Sequence, residues 1–210
     1  MRRGIRRLSA VVLAMGALSL SGCQGGGPVT GAELFDEAKQ VNTAFKEAVG
    51  AVQLQVFDGE WTVEEYGDVP WKCDADGYSF DLGRATPHGW RIDGEPLQAA
   101  KELGAWMDDE GWTEVSVKTY SGEVADVVLV ASNPDRKVSE ITVDFSPGEL
   151  FDSVTVRATS TCEPGSWVDL LKELIPGAPT DPPAGISRPE TERPDAAPLF
   201  GFTEDGSPRG

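Results

Sequence analysis

TEVSVKTYSGEVADVVLVASNPDRKVSEITVDFSPGELFDSVTVRATS, residues 113–160, decides the fold. Four β-rich runs follow one another in it: about 113–120, 124–131, 138–145 and 151–160. Val115 and Val117, then Ile141, Val143 and Phe145, then Val154, Val156 and Ala158, recur at every second position. A strand sends successive side chains to opposite faces, so this alternation puts one face on a core and the other in water. Residues 124–131 (VADVVLVA) are apolar on both faces, which places that strand centrally. Ser121-Gly122, Asn133-Pro134-Asp135 and Pro147-Gly148 punctuate the runs as turns. The stretch reads as a four-stranded antiparallel meander.

Working outward, Tyr78-Ser79-Phe80-Asp81-Leu82 is one more alternating strand, and Thr86-Pro87-His88-Gly89-Trp90 is a turn. Residues 60–76, with Trp61, Tyr66, Gly67, Pro70 and Trp71, read as irregular. Leu34, Ala38, Val41, Phe45, Ala48 and Val52 recur at steps of three or four, the spacing of one helix face, up to Asp58-Gly59. A second helix runs from Pro96, well suited to a first helical position, to Glu110, with Gly111 as its stop. Leu97, Ala100, Leu103 and Met107 share one face of it. A short third helix starts at the N-cap Ser166, carries Trp167, Leu170, Leu171 and Leu174 on one stripe, and ends at Pro176. The class is α+β: a two-layer domain over residues 32–175, with a mainly antiparallel sheet of about five strands, two main helices and a short C-terminal helix. Residues 176–210 hold eight prolines and little apolar content. Such a tail cannot offset its ordering entropy, so it is expected to be disordered and dispensable for folding. Leu199-Phe200-Gly201-Phe202 is its one apolar island.

The amino terminus reads as targeting rather than structure. Arg2, Arg3, Arg6 and Arg7 precede an apolar run from Leu8 to Leu20, the length of a signal peptide core and too short to span a membrane as a helix. Leu20-Ser21-Gly22-Cys23 then resembles the lipobox of bacterial lipoproteins. That resemblance implies a signal peptide over residues 1–22, lipidation of Cys23 and a location on the extracytoplasmic face of the cell membrane, lipid-anchored. Residues 23–31, glycine-rich, form a flexible tether. In layout the chain resembles the small, uncharacterised surface lipoproteins of high-GC Gram-positive bacteria, a likeness that implies no activity.

Loss of the four signal-peptide arginines takes the formal charge from −17 to −21. A surface so acidic repels phosphates, which excludes nucleic acid as a partner and leaves membrane attachment to the lipid. One histidine, His88, rules out histidine-rich metal sites, and its Pro-His-Gly context marks a turn residue that any activity would not need. Asp74-Ala75-Asp76-Gly77 echoes a calcium loop, but Lys72 and Gly83 stand where ligands would be required. No cofactor or metal motif is present. Trp61, Tyr66, Trp71 and Trp90 could stack on a sugar or peptide, or pack in the core.

With Cys23 taken by lipid, Cys73 and Cys162 remain in a domain exported to an oxidising compartment. Cys73 precedes the 78–82 strand and Cys162 follows the 151–160 strand, and an up-and-down path brings both to one sheet edge. A disulfide needs Cα atoms within about 7 Å, so those two strands are expected to be antiparallel neighbours. The expected function is a non-enzymatic binding or interaction module of the cell envelope, with an envelope protein or glycan as partner. The alternative is an envelope enzyme acting on peptidoglycan or glycan through carboxylates, with a transporter's solute-binding protein a weaker third reading. An acidic pair in a concave, aromatic-lined pocket would favour the enzyme.

Overall fold

Helix, sheet and helix alternate along the chain as the apolar periodicity requires. The structure, a computed structural model, describes residues 31–121, 126–175, 188–203 and 206–209. Residues 1–30, read from the sequence as a signal peptide, a lipidation site at Cys23 and a tether, lie outside the described residues, as do 176–187 of the tail. The elements are α1 (Ala32–Val56), β1 (Trp61–Lys72), β2 (Gly77–Ala85), α2 (Pro96–Asp109), β3 (Thr113–Thr119), β4 (Val127–Asn133), β5 (Val138–Ser146), β6 (Ser153–Ser160), β7 (Glu163–Pro164), α3 (Trp167–Leu174) and β8 (Thr191–Glu192). The class is α+β, with eight strands where about five were expected.

The sheet runs β3-β4-β5-β6-β2-β1-β8, with β7 paired to β2, and every pairing is antiparallel. The 113–160 stretch forms the expected meander. β4 lies between β3 and β5, one strand in from the edge rather than at the centre, which β6 occupies. Leu129, Ile141, Val143, Val154 and Val156 are fully buried, and their alternate neighbours reach the surface. On the buried face sits α1, through Leu34, Ala38, Phe45, Val49 and Val52, with α2 contributing Ala100, Leu103 and Met107 and α3 contributing Leu170, Leu171 and Leu174. Gly111 takes the left-handed conformation (φ 81°) that ends α2, as its position after the last apolar repeat implied.

β1 is the largest departure from the expectation of an irregular 60–76. Its ladder to β2 shifts register between Val63 and Glu65 and again between Tyr66 and Pro70. Each irregularity breaks the two-residue alternation by which a strand is recognised. Gly67 sits in the second one at φ 95°, and Pro70, which cannot donate to a ladder, follows it.

The tail is the second correction. Thr191 and Glu192 pair with Thr62 and Trp61, and the Val63 N–H donates to the Glu190 carbonyl at 2.9 Å. Phe200 and Phe202 are buried in the core, against Phe35 and Phe80 and against Tyr66 respectively. The segment from Arg188 is therefore a strap over α1, β1 and α3. Two aromatic rings offset an ordering entropy that the proline-rich composition alone could not.

Cys73 and Cys162 form a disulfide, with Cα atoms 5.8 Å apart. β2 and β6 are antiparallel neighbours, as the proposed pairing demanded.

Candidate functional site

Two places bring chemistry-bearing side chains together. The first is a buried polar cluster beneath the strap. Lys46 on α1 pairs with Asp68 on β1, and both side chains are almost wholly buried. Lys46 Nζ also donates to the Leu199 carbonyl (3.0 Å) and lies 4.3 Å from the centre of the Tyr66 ring. Asp68 Oδ2 accepts from the Gly201 N–H at 2.9 Å. Burial pushes the Asp68 carboxyl up and the Lys46 ammonium down, against the attraction between them. Arg84 on β2 donates to the carbonyls of Glu65, Gly83 and Tyr66, and to Glu192 Oε2 at 2.5 Å. A cavity of about 270 Å³ adjoins this cluster, lined by Lys46, Gly50, Arg84 and strap residues 192–198. The buried cations are engaged by acceptors of the chain itself, so the cluster fastens the strap.

The second place is a cleft of about 480 Å³ between the end of α1, the 90–93 loop and α2. Trp90, Ile92, Leu103, Trp106 and Phe145 form its apolar walls. Gln55, Arg91, Asp93 and Glu102 supply its polar groups. The Trp90 wall is held from behind. The Trp90 ring packs on Phe57 with centroids 6.0 Å apart, and Phe57 packs on the buried Trp61. Arg91 donates to the carbonyls of Gly148, Glu149 and Leu150. Asp152 accepts from the N–H groups of Gly148 (3.0 Å) and Ile92 (2.9 Å), and its own N–H donates to the Trp90 carbonyl. Those two N–H groups, then Arg91, hold the Asp152 carboxyl below its ordinary value, so this clasp stays charged at neutral pH. Among the described residues no ring contact joins Trp90 to Trp106, and the cleft between them stays open. A pre-formed concavity of about 300–1,000 Å³ with placed polar groups is the usual form of a ligand site, and this cleft has that size, with a lining more polar than apolar.

Of the four aromatics singled out in the sequence, only Trp90 lines this cleft. Trp61 is buried and donates to the Phe57 carbonyl at 3.0 Å. Tyr66 belongs to the polar cluster, where burial raises its hydroxyl pKa. Trp71 is 46 % exposed near the end of β1. The structure does not bring the four together. Trp106 and Glu102 were missed, although Ala99, Leu103 and Trp106 stand at i, i+4 and i+7 on α2 and mark a second helix face beside the core-facing one. His88 is exposed and its ring packs at a tilt against Phe151, with centroids 4.3 Å apart. Cys73, Asp74 and Cys162 place three possible ligand atoms within 4.8 Å of one another, but both sulfurs are consumed by the disulfide. Among the described residues no helix is long and apolar enough to cross a membrane. No protein-family model matches the chain, and neither a curated protein nor a solved structure gives a match.

Proposed function

We propose that this chain is an exported lipoprotein, carried out by residues 1–22, anchored through Cys23 and tethered by residues 23–31, whose two-layer domain is a non-enzymatic binding module. The observation that carries the binding role is the Trp90–Trp106 cleft, an open aromatic concavity with a wall held rigid by Arg91 and Asp152. The lipid anchor rests on Leu20-Ser21-Gly22-Cys23 following an apolar signal core. Two acyl chains anchor stably where one does not, at about 0.8 kcal/mol per buried CH₂.

The enzyme reading has one observation in its favour, since Asp93 and Glu102 both line the aromatic cleft. Both carboxylates are exposed, whereas the general acid of a carboxylate pair works from an apolar pocket. Binding is the better reading.

The test replaces Trp106 with a photo-reactive aromatic residue in intact cells. A discrete adduct in the membrane fraction, released to the medium together with the protein by Cys23→Ala, is the expected result. No adduct with any envelope component, or a mature protein of unlipidated mass, would overturn the proposal.

A further inference from the structure

We infer that the Trp90–Trp106 cleft is a receptor for a basic side chain, lysine or arginine, presented by a partner polypeptide. The inference rests on the proposed binding role and names its chemistry. It starts from the charges at the cleft. Arg91 is the only cation among the lining residues, and its guanidinium is committed to three backbone carbonyls and to Asp152, 3.6 Å away. Asp93 and Glu102 are left without an ion-pair partner among the described residues; the one side-chain hydrogen bond of Glu102 is from Gln98 Nε2, at 2.8 Å. Two indole side chains and two carboxylates without ion-pair partners among the described residues thus line the cleft.

An indole ring attracts a cation through the negative potential of its face, and tryptophan does so best of the aromatic residues. A guanidinium or ammonium on an aliphatic stem matches both parts of the site. Its stem packs on Ile92, Leu103 and the ring faces, and its head meets the carboxylates. A neutral sugar would use the rings and leave the charges uncompensated. An anion would be repelled by both carboxylates and by the net negative charge of the chain, −17 over its full length.

The surroundings favour a polypeptide over a free amine. Leu150 is 83 % exposed, and its carbonyl is one of the acceptors that fix Arg91. That leucine offers apolar contact beside Arg91, beyond what one amine could cover. A basic residue with an apolar neighbour spans both features.

The test uses the full-length protein purified as exported, with the indole N–H resonances of Trp90 and Trp106 as reporters. The probes are a blocked Gly-Arg-Leu peptide, its Gly-Gln-Leu counterpart, free butylguanidinium and a neutral N-acetylglucosamine oligosaccharide. The arginine peptide should shift both indoles and bind at least about tenfold tighter than the glutamine peptide, a difference of about 1.4 kcal/mol. It should weaken with salt. Asp93→Asn with Glu102→Gln should erase that preference while leaving circular dichroism unchanged, because both residues are exposed. Trp106→Ala should abolish the shift at Trp90. Free butylguanidinium binding as tightly as the peptide would overturn the polypeptide assignment. Saccharide binding in preference to the cation would overturn the inference and leave the cleft a ligand site. No shift with any probe would also overturn it, and the cross-linking result would then decide separately whether the cleft binds at all.

Discussion

Lys46 and Asp68 show how costly groups come to be retained inside this protein. Removing two charges from water costs several kcal/mol each, and mutual attraction repays it only when the remaining donors and acceptors are also satisfied. Here the extra partners come from the strap, as the Leu199 carbonyl and the Gly201 N–H. Asp68→Ala leaves a buried ammonium with no anion beside it, only the Leu199 carbonyl and the Tyr66 ring, and should destabilise the fold by about 3–5 kcal/mol. Lys46→Met together with Asp68→Leu removes both charges at similar volume and should cost clearly less than the single change. Urea denaturation of the two variants checks this, and equal losses would show the pair to be a net source of stability. Along the sequence, Lys46 is one of the polar residues standing between the apolar positions of α1. Nothing local distinguishes it from Lys39, which is exposed.

At the scale of elements, α1 carries a glycine that its own helix does not want. Gly50 stands inside a 25-residue helix, where glycine costs about 0.5–1 kcal/mol relative to alanine. The strap explains it, because a Cβ at Gly50 would lie 2.5 Å from the Pro194 carbonyl oxygen. Gly50→Ala should therefore destabilise the protein by roughly 1–3 kcal/mol, the cost of overpacking, instead of stabilising it as helix propensity alone requires. Thermal unfolding of this one variant distinguishes the two signs. β1 follows the same logic in reverse. Its sequence resists the strand pattern at Gly67 and Pro70, yet pairing with β2 and the strap on its other side make it a strand. Tertiary partners overrule a weak local preference where they supply the missing hydrogen bonds.

For the molecule as a whole, the strap closes the domain. Deleting residues 188–210 exposes the sites of Phe200 and Phe202, each side chain contributing about 1.5–3 kcal/mol by burial. It also removes Glu192 from Arg84 and both strap contacts from the Lys46–Asp68 pair. The melting temperature should fall by roughly 10 °C or more, at about 2–4 °C per kcal/mol for a chain of this size. An unchanged melting temperature would mean that the tail does not pack on the domain. The disulfide acts at the same scale. It closes a separation of 89 residues and ties the turn between β1 and β2 to the end of β6, with a stabilisation of about 4–5 kcal/mol in the chain-entropy model.

By itself the sequence determined the features whose cause is local or combinatorial. The meander and the three helices, with Pro96 and Gly111 at the ends of α2 and Ser166 capping α3, follow from period and punctuation within a dozen or so residues. The pairing of Cys73 with Cys162 follows from a count of cysteines and the parity of an up-and-down path. Only the tertiary structure decided that 61–72 is a strand, that Phe200 and Phe202 are core, and that Trp90 rather than Trp61, Tyr66 or Trp71 faces a cleft. The Phe200-Gly201-Phe202 island was visible, but the groove that receives it is built from α1, α3 and β1, more than a hundred residues away for two of the three. The cleft likewise needs Trp90 from a loop that Asp152, in a third segment, fastens, and Trp106 from a helix. Burial of these groups is a property of the assembled surfaces, and no window along the chain contains both sides of the contact.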